Sequence, residues 1–385
     1  MKTKLNLAVA SALLAVASSA NAGIIIPAGD WTLDIGGVVN AYYTSTRATG
    51  DMVNSTGTST ASNITTGLLP NYLSVSGKTR QNDLDVAFTI SINPGASTNG
   101  SGIQSAQQEN RQAFLTFGDK SWGSIKLGKD LGIYASDAIL NDMTLLGVGS
   151  AAGGLAGNTT TLGRIGTGFM YADWKSQVAY TSPNWNGFSF TAGVTQSWDP
   201  TAVGVNGTGS FARGGSQPAY EGKASYEWAG DVGGKVWVSG ISQNVELVDD
   251  RADAWDIGAT VNLAGFGLTG YYGQGNGTGT AVLFNGGYDA AGKSRDSEDW
   301  YVQGTYTLPG VGTKLGVSYG ESELEYNASE GATDDYKNTM WTVGAYHPLT
   351  KHLNLVAEYS QQKLEDNGGF DGKAKTIALG AILFF

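Results

Sequence analysis

Apolar side chains recur in this chain at every second position, in one stretch after another. A period of two is the signature of strands with one polar and one apolar face. Trp31, Leu33, Ile35, Gly37, Val39, Ala41 and Tyr43 share one phase, with Thr32, Asp34, Gly36, Val38 and Asn40 on the other. Leu84, Val86, Phe88, Ile90 and Ile92 alternate in the same way against Asp83, Asp85, Thr89 and Ser91. The first of these runs exceeds the roughly 5 to 6 residues of an ordinary globular strand. The pattern persists through Lys375, Ile377, Leu379, Ala381, Leu383 and Phe385. A last strand that ends flush with the chain is expected to close against the first and leave no edge.

The connections come in two kinds. Short turns stand near Arg80 to Asn82 and at Asp119-Lys-Ser121, Pro183 to Asn186, Ala229 to Gly233, Ala264-Gly265, Pro309 to Gly312 and His347 to Thr350. Long loops run over Thr44 to Leu69, Asn93 to Glu109, Asp199 to Ala219, Asn244 to Arg251, Gly275 to Glu298, Glu321 to Lys337 and Gln361 to Lys373. With about 16 strand segments, this asymmetry predicts an all-β fold: a transmembrane antiparallel β-barrel with short periplasmic turns and long outer loops. A barrel of that kind looks polar on average, so the absence of a long apolar run does not argue against a membrane. A β-sandwich or propeller needs no such asymmetry, and no blade-length repeat is visible.

The stretch from Lys129 to Trp174 is far longer than a hairpin connection. Its interior, Tyr134 to Leu146, reads as a short helix capped by Ser136, followed by a Gly/Ala/Thr-rich return. Such a segment either hangs outside or folds back into the space the strands enclose. At the N-terminus, Lys2 and Lys4, the apolar run Leu5 to Ala17 and Ala20-Asn21-Ala22 form a secretory signal over residues 1–22. The mature barrel is then residues 23–385, and its formal charge, −11 for the whole chain, becomes two units more negative without those lysines. That acidity argues against a nucleic-acid partner. Zero cysteines exclude a disulfide framework.

The motifs Asn110-Arg-Gln-Ala-Phe-Leu-Thr-Phe-Gly118, Trp122-Gly-Ser-Ile-Lys-Leu-Gly-Lys129, Leu162-Gly-Arg-Ile-Gly166 and Ala381-Ile-Leu-Phe-Phe385 stand in an order and spacing that resembles the general diffusion porins of the Gram-negative outer membrane. The resemblance covers essentially the whole mature chain. It implies a 16-stranded, trimeric barrel whose third external loop folds inward as a constriction, here residues 129–174. It also implies wall cations set against loop carboxylates, a transverse field that sorts solutes. Carried over residue by residue, the pore constriction would be Arg111 on the wall, Lys129 at the loop entry, Asp142 in the Asn-Asp-Met element and Arg164 in the return. Leu146 stands where a second acid is expected and Tyr72 where an arginine is common, so a more apolar constriction is expected. Asp137 joins the set, although a carboxylate at a helix start has its own electrostatic reason.

The function expected is therefore an outer-membrane porin passing ions and small hydrophilic solutes down their gradients, without a cofactor. The alternatives are a substrate-selective porin and a surface barrel acting mainly as adhesin or phage receptor. Its surroundings would be outer-membrane lipids and lipopolysaccharide. An enzyme is not expected: His347 and His352 flank a turn and pair with no nucleophile. The clusters Asp249-Asp250 and Asp296-Ser-Glu-Asp299 carry the oxygens that Ca²⁺ would use, while hydrated loop charge explains them more simply. Gly287-Tyr-Asp-Ala-Ala-Gly-Lys-Ser294 matches a phosphate-binding loop by chance, because an alternating strand rather than a helix follows.

Overall fold

The computed structural model describes residues 23–53, 57, 59–97, 108–154, 160–197, 217–245, 251–281, 286–289, 291–327, 330 and 335–385. The expected signal, residues 1–22, lies outside the described residues, as do most of the loops expected at 199–219 and 244–251, with Asp249 and Asp250.

The architecture is a closed antiparallel barrel of 16 wall strands. The strands are β1 Trp31–Gly50, β2 Tyr72–Gln81, β3 Leu84–Pro94, β4 Ala113–Asp119, β5 Gly123–Leu131, β6 Trp174–Thr181, β7 Phe188–Thr195 and β8 Ala219–Trp228. They continue as β9 Val232–Asn244, β10 Arg251–Leu263, β11 Phe266–Asn276, β12 Asp296–Thr307, β13 Lys314–Glu325, β14 Tyr336–Pro348, β15 Leu353–Asp366 and β16 Asp371–Phe384. Each pairs with the next, and β1 closes the ring. One edge of β1 takes β16 from Val38↔Phe384 to Gly50↔Gly372, and the other takes β2 from Thr32↔Lys78 to Val38↔Tyr72. Two short strands complete β1: Ile24–Ala28 beside its first residues and Thr60–Thr65 beside its far half. Both edges of β1 are thereby paired along most of its length, as a lipid environment demands.

The side-chain phases separate cleanly. Val39 is 54% exposed and its neighbours Val38 and Asn40 are buried; Ile257 is 50% exposed beside a buried Asp256; Val317 is 55% exposed beside a buried Ser318. The ring is thus apolar outside and largely polar inside, the inverse of a water-soluble sheet protein. Two-residue turns tighten one end. Asn82-Asp83 joins β2 to β3 and Ala264-Gly265 joins β10 to β11, each with positive φ at both positions, the twist-matched hairpin geometry.

Some boundaries differ from the sequence reading. β1 runs on to Gly50 and Thr60–Thr65 is extended, because serine and threonine alternate there as readily as they form loops. β5 continues past Gly128 to Leu131. Asp296-Ser-Glu-Asp299 is the start of β12, not a loop, and its alternation buries Ser297 and Asp299 while leaving Asp296 exposed, so the acids do not converge on one ion. Tyr288 bridges Ser294 in the Gly287 to Ser294 segment, and β12 follows two residues later, with no helix for a phosphate.

Candidate pore constriction

Between β5 and β6 the chain forms one short helix, α1 Ser136–Asn141, and a tighter turn, Met143–Leu146. Ser136 is not the cap. Ala135, at φ 60°, occupies that place, and the Ser136 hydroxyl donates to the Ile133 carbonyl (2.9 Å). Asp142 caps the following turn by accepting the Thr144 N–H (3.0 Å).

Polar groups on the buried face of the wall hold this connection along its length. Glu221 on β8 accepts the N–H groups of Ile133 (2.7 Å) and Tyr134 (2.9 Å), and Lys175 pairs with its other oxygen (2.5 Å). Asp137 is gripped by Lys235 (2.5 Å) and Lys223 (3.0 Å). Burial works against its ionised form, but the two lysines outweigh it and hold the carboxyl below the usual range. On β12, the Tyr301 hydroxyl donates to the Ala138 carbonyl (3.0 Å), and Gln303 bonds the Asn141 carbonyl (3.0 Å) and the Met143 N–H (2.6 Å).

Further along, Glu358 on β15 accepts the N–H groups of Val148 (2.8 Å) and Gly149 (2.9 Å) and the Tyr346 hydroxyl (2.6 Å). A Cβ at Gly147 would stand 2.1 Å from a Glu358 oxygen, so a larger residue here would displace the carboxylate. Arg164 donates to the carbonyls of Met340 (2.9 Å) and Thr167 (3.2 Å) and to the Ser318 hydroxyl. An apolar cluster fills the space between these bonds, with Ile139, Met143, Leu145, Ile165 and Phe169 of the connection against Tyr42, Trp237, Tyr271, Tyr301 and Tyr346 of the wall.

One side of the connection is open. A cavity of about 540 Å³ lies between Leu140, Asp142 and Leu146 of the connection and Thr260, Gln303 and Lys314 of the wall, and reaches the short turn at Ala264-Gly265. Burial pushes the Asp142 carboxyl above the ordinary range, and Arg164 and Thr144 offset this only in part. Arg164, wholly buried, is pushed down by the same desolvation, which Asp142 opposes.

The residues singled out from sequence land in different places. Asp142 and Leu146 line the cavity, and the Leu146 carbonyl accepts the Tyr42 hydroxyl (2.7 Å). Tyr72 pairs with buried Val38 and packs on the apolar cluster. Asp137 is enclosed by its lysines. Arg111 precedes β4, is buried, donates to Glu109 (2.7 Å) and lies 5.7 Å from the Trp174 ring; it does not line the Asp142 cavity. Arg164 is fully buried, so its side chain braces the return rather than facing solvent. Lys129 is a correction. It opposes Ala113 and Ser176 and shares the phase of Leu127, whose partners Leu115 and Val178 are exposed outward, so it points away from the interior. The sequence reading missed Glu221, Glu358, Lys223, Lys235 and Lys314, whose signal is a charge on the inward phase of a wall strand.

Comparison with known proteins agrees with this architecture. The Gram-negative porin family profile matches residues 8–367. No curated protein matches the sequence. Among solved structures, the outer membrane channel DcaP of Acinetobacter baumannii is similar at TM-score 0.63 and 16% identity, over 94% of this chain and 100% of that one. Salmonella typhi OmpF, solved with daunomycin, gives 0.61 and 16% over the same shares. A loop-deleted OmpT, an outer membrane protein of Vibrio cholerae, gives 0.59 and 14% over 92% of this chain and 100% of that one. With a barrel apolar outside and polar inside, and a family match across most of its length, the chain belongs to the Gram-negative porins, channels of the outer membrane.

Proposed function

We propose that this barrel passes ions and small hydrophilic solutes passively across the outer membrane, and that residues 129–174 form its constriction. The observation that carries the reading is the open cavity of roughly 540 Å³ between the connection and the inner wall, with Asp142 on one side and Lys314 on the other. A solute crossing there meets opposite charges on facing surfaces, which orients dipoles and sorts charge. Leu140, Met143, Leu145 and Leu146 make the connection's side of the cavity apolar, so sorting rests on few charges.

The trimer form solved for Vibrio cholerae OmpT supports a homotrimer here, set in lipid and lipopolysaccharide. Residues 1–22 are read as an export signal, which N-terminal sequencing of the mature protein checks by starting at Gly23. Planar-bilayer recording tests the channel itself. Conductance rising in groups of three steps is expected; a silent barrel would favour an adhesin or phage receptor.

A further inference from the structure

Behind the first part of the connection, one transverse row of residues crosses the inner wall from β9 to β13. The register aligns Ser239 with Asp256, Asp256 with Gly273, Gly273 with Asp299, and Asp299 with Ser322. The row is symmetric about the glycine. Ser239 donates to one oxygen of Asp256 (2.7 Å), and Ser322 donates to one oxygen of Asp299. Both carboxylates are buried. Between them Gly273 contributes no side chain, leaving a gap two strand spacings wide, about 10 Å from backbone to backbone.

Into that gap reaches the Tyr271 hydroxyl, 2.7 Å from where a Gly273 Cβ would stand. Tyr271 is only 5% exposed, and its hydroxyl has no hydrogen-bond partner other than the neighbouring Tyr134 phenol; the second oxygen of Asp256 has none. The Tyr134 phenol, carried by the connection, lies beside Tyr271 and within reach of both acids' charge. Buried polar atoms without partners are uncommon and call for an ion or an ordered water. The charges nearby do not balance. Lys175 pairs with Glu221; Lys223 and Lys235 both contact Asp137, and Lys235 also contacts Glu227, so both lysines are already engaged by other acids when Asp256 and Asp299 are counted. Positive charge is in deficit here.

We propose that this gap binds one small hard metal cation, held between Asp256 and Asp299 over Gly273, with the Tyr271 and Tyr134 hydroxyl oxygens as neutral ligands. An all-oxygen set of this kind suits sodium or calcium rather than a soft metal. Because Tyr134 belongs to the connection, the ion pins the connection to the wall at the end away from the cavity. The site is independent of conduction, so a silent channel would leave it untouched.

Thermal unfolding of the detergent-solubilised protein is the test, after dialysis into choline chloride, whose cation is too large for the gap. Titrating NaCl or CaCl₂ at constant ionic strength is expected to raise Tm saturably by about 3 °C or more. The salt giving the half-maximal rise at lower concentration identifies the ion. Tyr271→Phe, which keeps the ring packed on Tyr301, is expected to shift that midpoint upward several-fold, and Asp256→Asn with Asp299→Asn to abolish the rise. Should the double variant not fold, an anomalous-scattering peak over Gly273 in wild-type crystals soaked with Tl⁺ or Sr²⁺ supports the site. A Tm indifferent to cation identity, a rise unchanged in either variant, or crystals without that peak would each overturn it. In particular, a Tm governed by pH alone would assign the missing charge to a proton.

Discussion

Asp137 and Asp142 stand five positions apart on the same connection, yet their surroundings are opposite. Asp137 is clasped by two wall lysines and held in its ionised form; Asp142 touches no lysine, caps a turn and borders the open cavity. Burial is severe at both, so the difference lies in compensation rather than depth. At Asp137 two lysines outweigh burial and fasten the connection to the wall; at Asp142 the Arg164 charge and the Thr144 hydrogen bonds offset burial only in part. The same division runs along the whole connection. The stretches on either side, held by Glu221, Lys223, Lys235 and Glu358, are fastened through charged groups, while the segment from Leu140 to Leu146 is held by the neutral Gln303 and Tyr42 and borders the cavity.

Breaking the fasteners gives the largest effects. Replacing Glu221 with alanine removes the carboxylate paired with Lys175, which is 2% exposed, and frees the N–H groups of Ile133 and Tyr134. A loss of about 3–5 kcal/mol is expected by denaturant titration in detergent. Asp142→Asn keeps a capping side chain and is expected to cost less than about 1 kcal/mol in the same assay.

The pH response sharpens the contrast through its sign. The folded Asp137 titrates below its unfolded value, so its contribution is present above the ordinary carboxylate range and is lost as pH falls through the depressed value. The folded Asp142 titrates above its unfolded value. Its contribution is complete below the ordinary range and disappears as pH rises through the raised value. Stability profiles of Asp137→Asn and Asp142→Asn, each subtracted from wild type, are expected to slope in opposite directions; slopes of the same sign would break the comparison.

Effects on selectivity with little change in stability come next. Leu146→Glu places a second acid on the cavity and is expected to raise cation preference, read as a reversal potential under a salt gradient. The smallest effect belongs to Lys129→Gln, whose side chain faces outward: selectivity is expected to match wild type within error.

The alternation of Val39, Ala41 and Tyr43 against Val38 and Asn40 made the barrel legible, because lipid on one side and a polar interior on the other impose that period on every strand. The same logic places Lys129 outside, in phase with Ile125 and Leu127; family resemblance at the motif obscured a phase the residues themselves carried. Glu221 and Glu358 were not legible in this way. Their partners are backbone N–H groups 88 and 210 positions away, and a backbone amide has no sequence signature. The cavity was illegible for a related reason, since Lys314 meets Asp142 only once the ring has closed.

The most direct measurement is the reversal potential of single channels in a KCl gradient, recorded for wild type and Asp142→Asn. The account predicts a conducting wild type and a variant displaced towards anion preference, with wild type approaching the variant as acidification protonates Asp142. A silent wild type, or identical reversal potentials across the pH range, would contradict it.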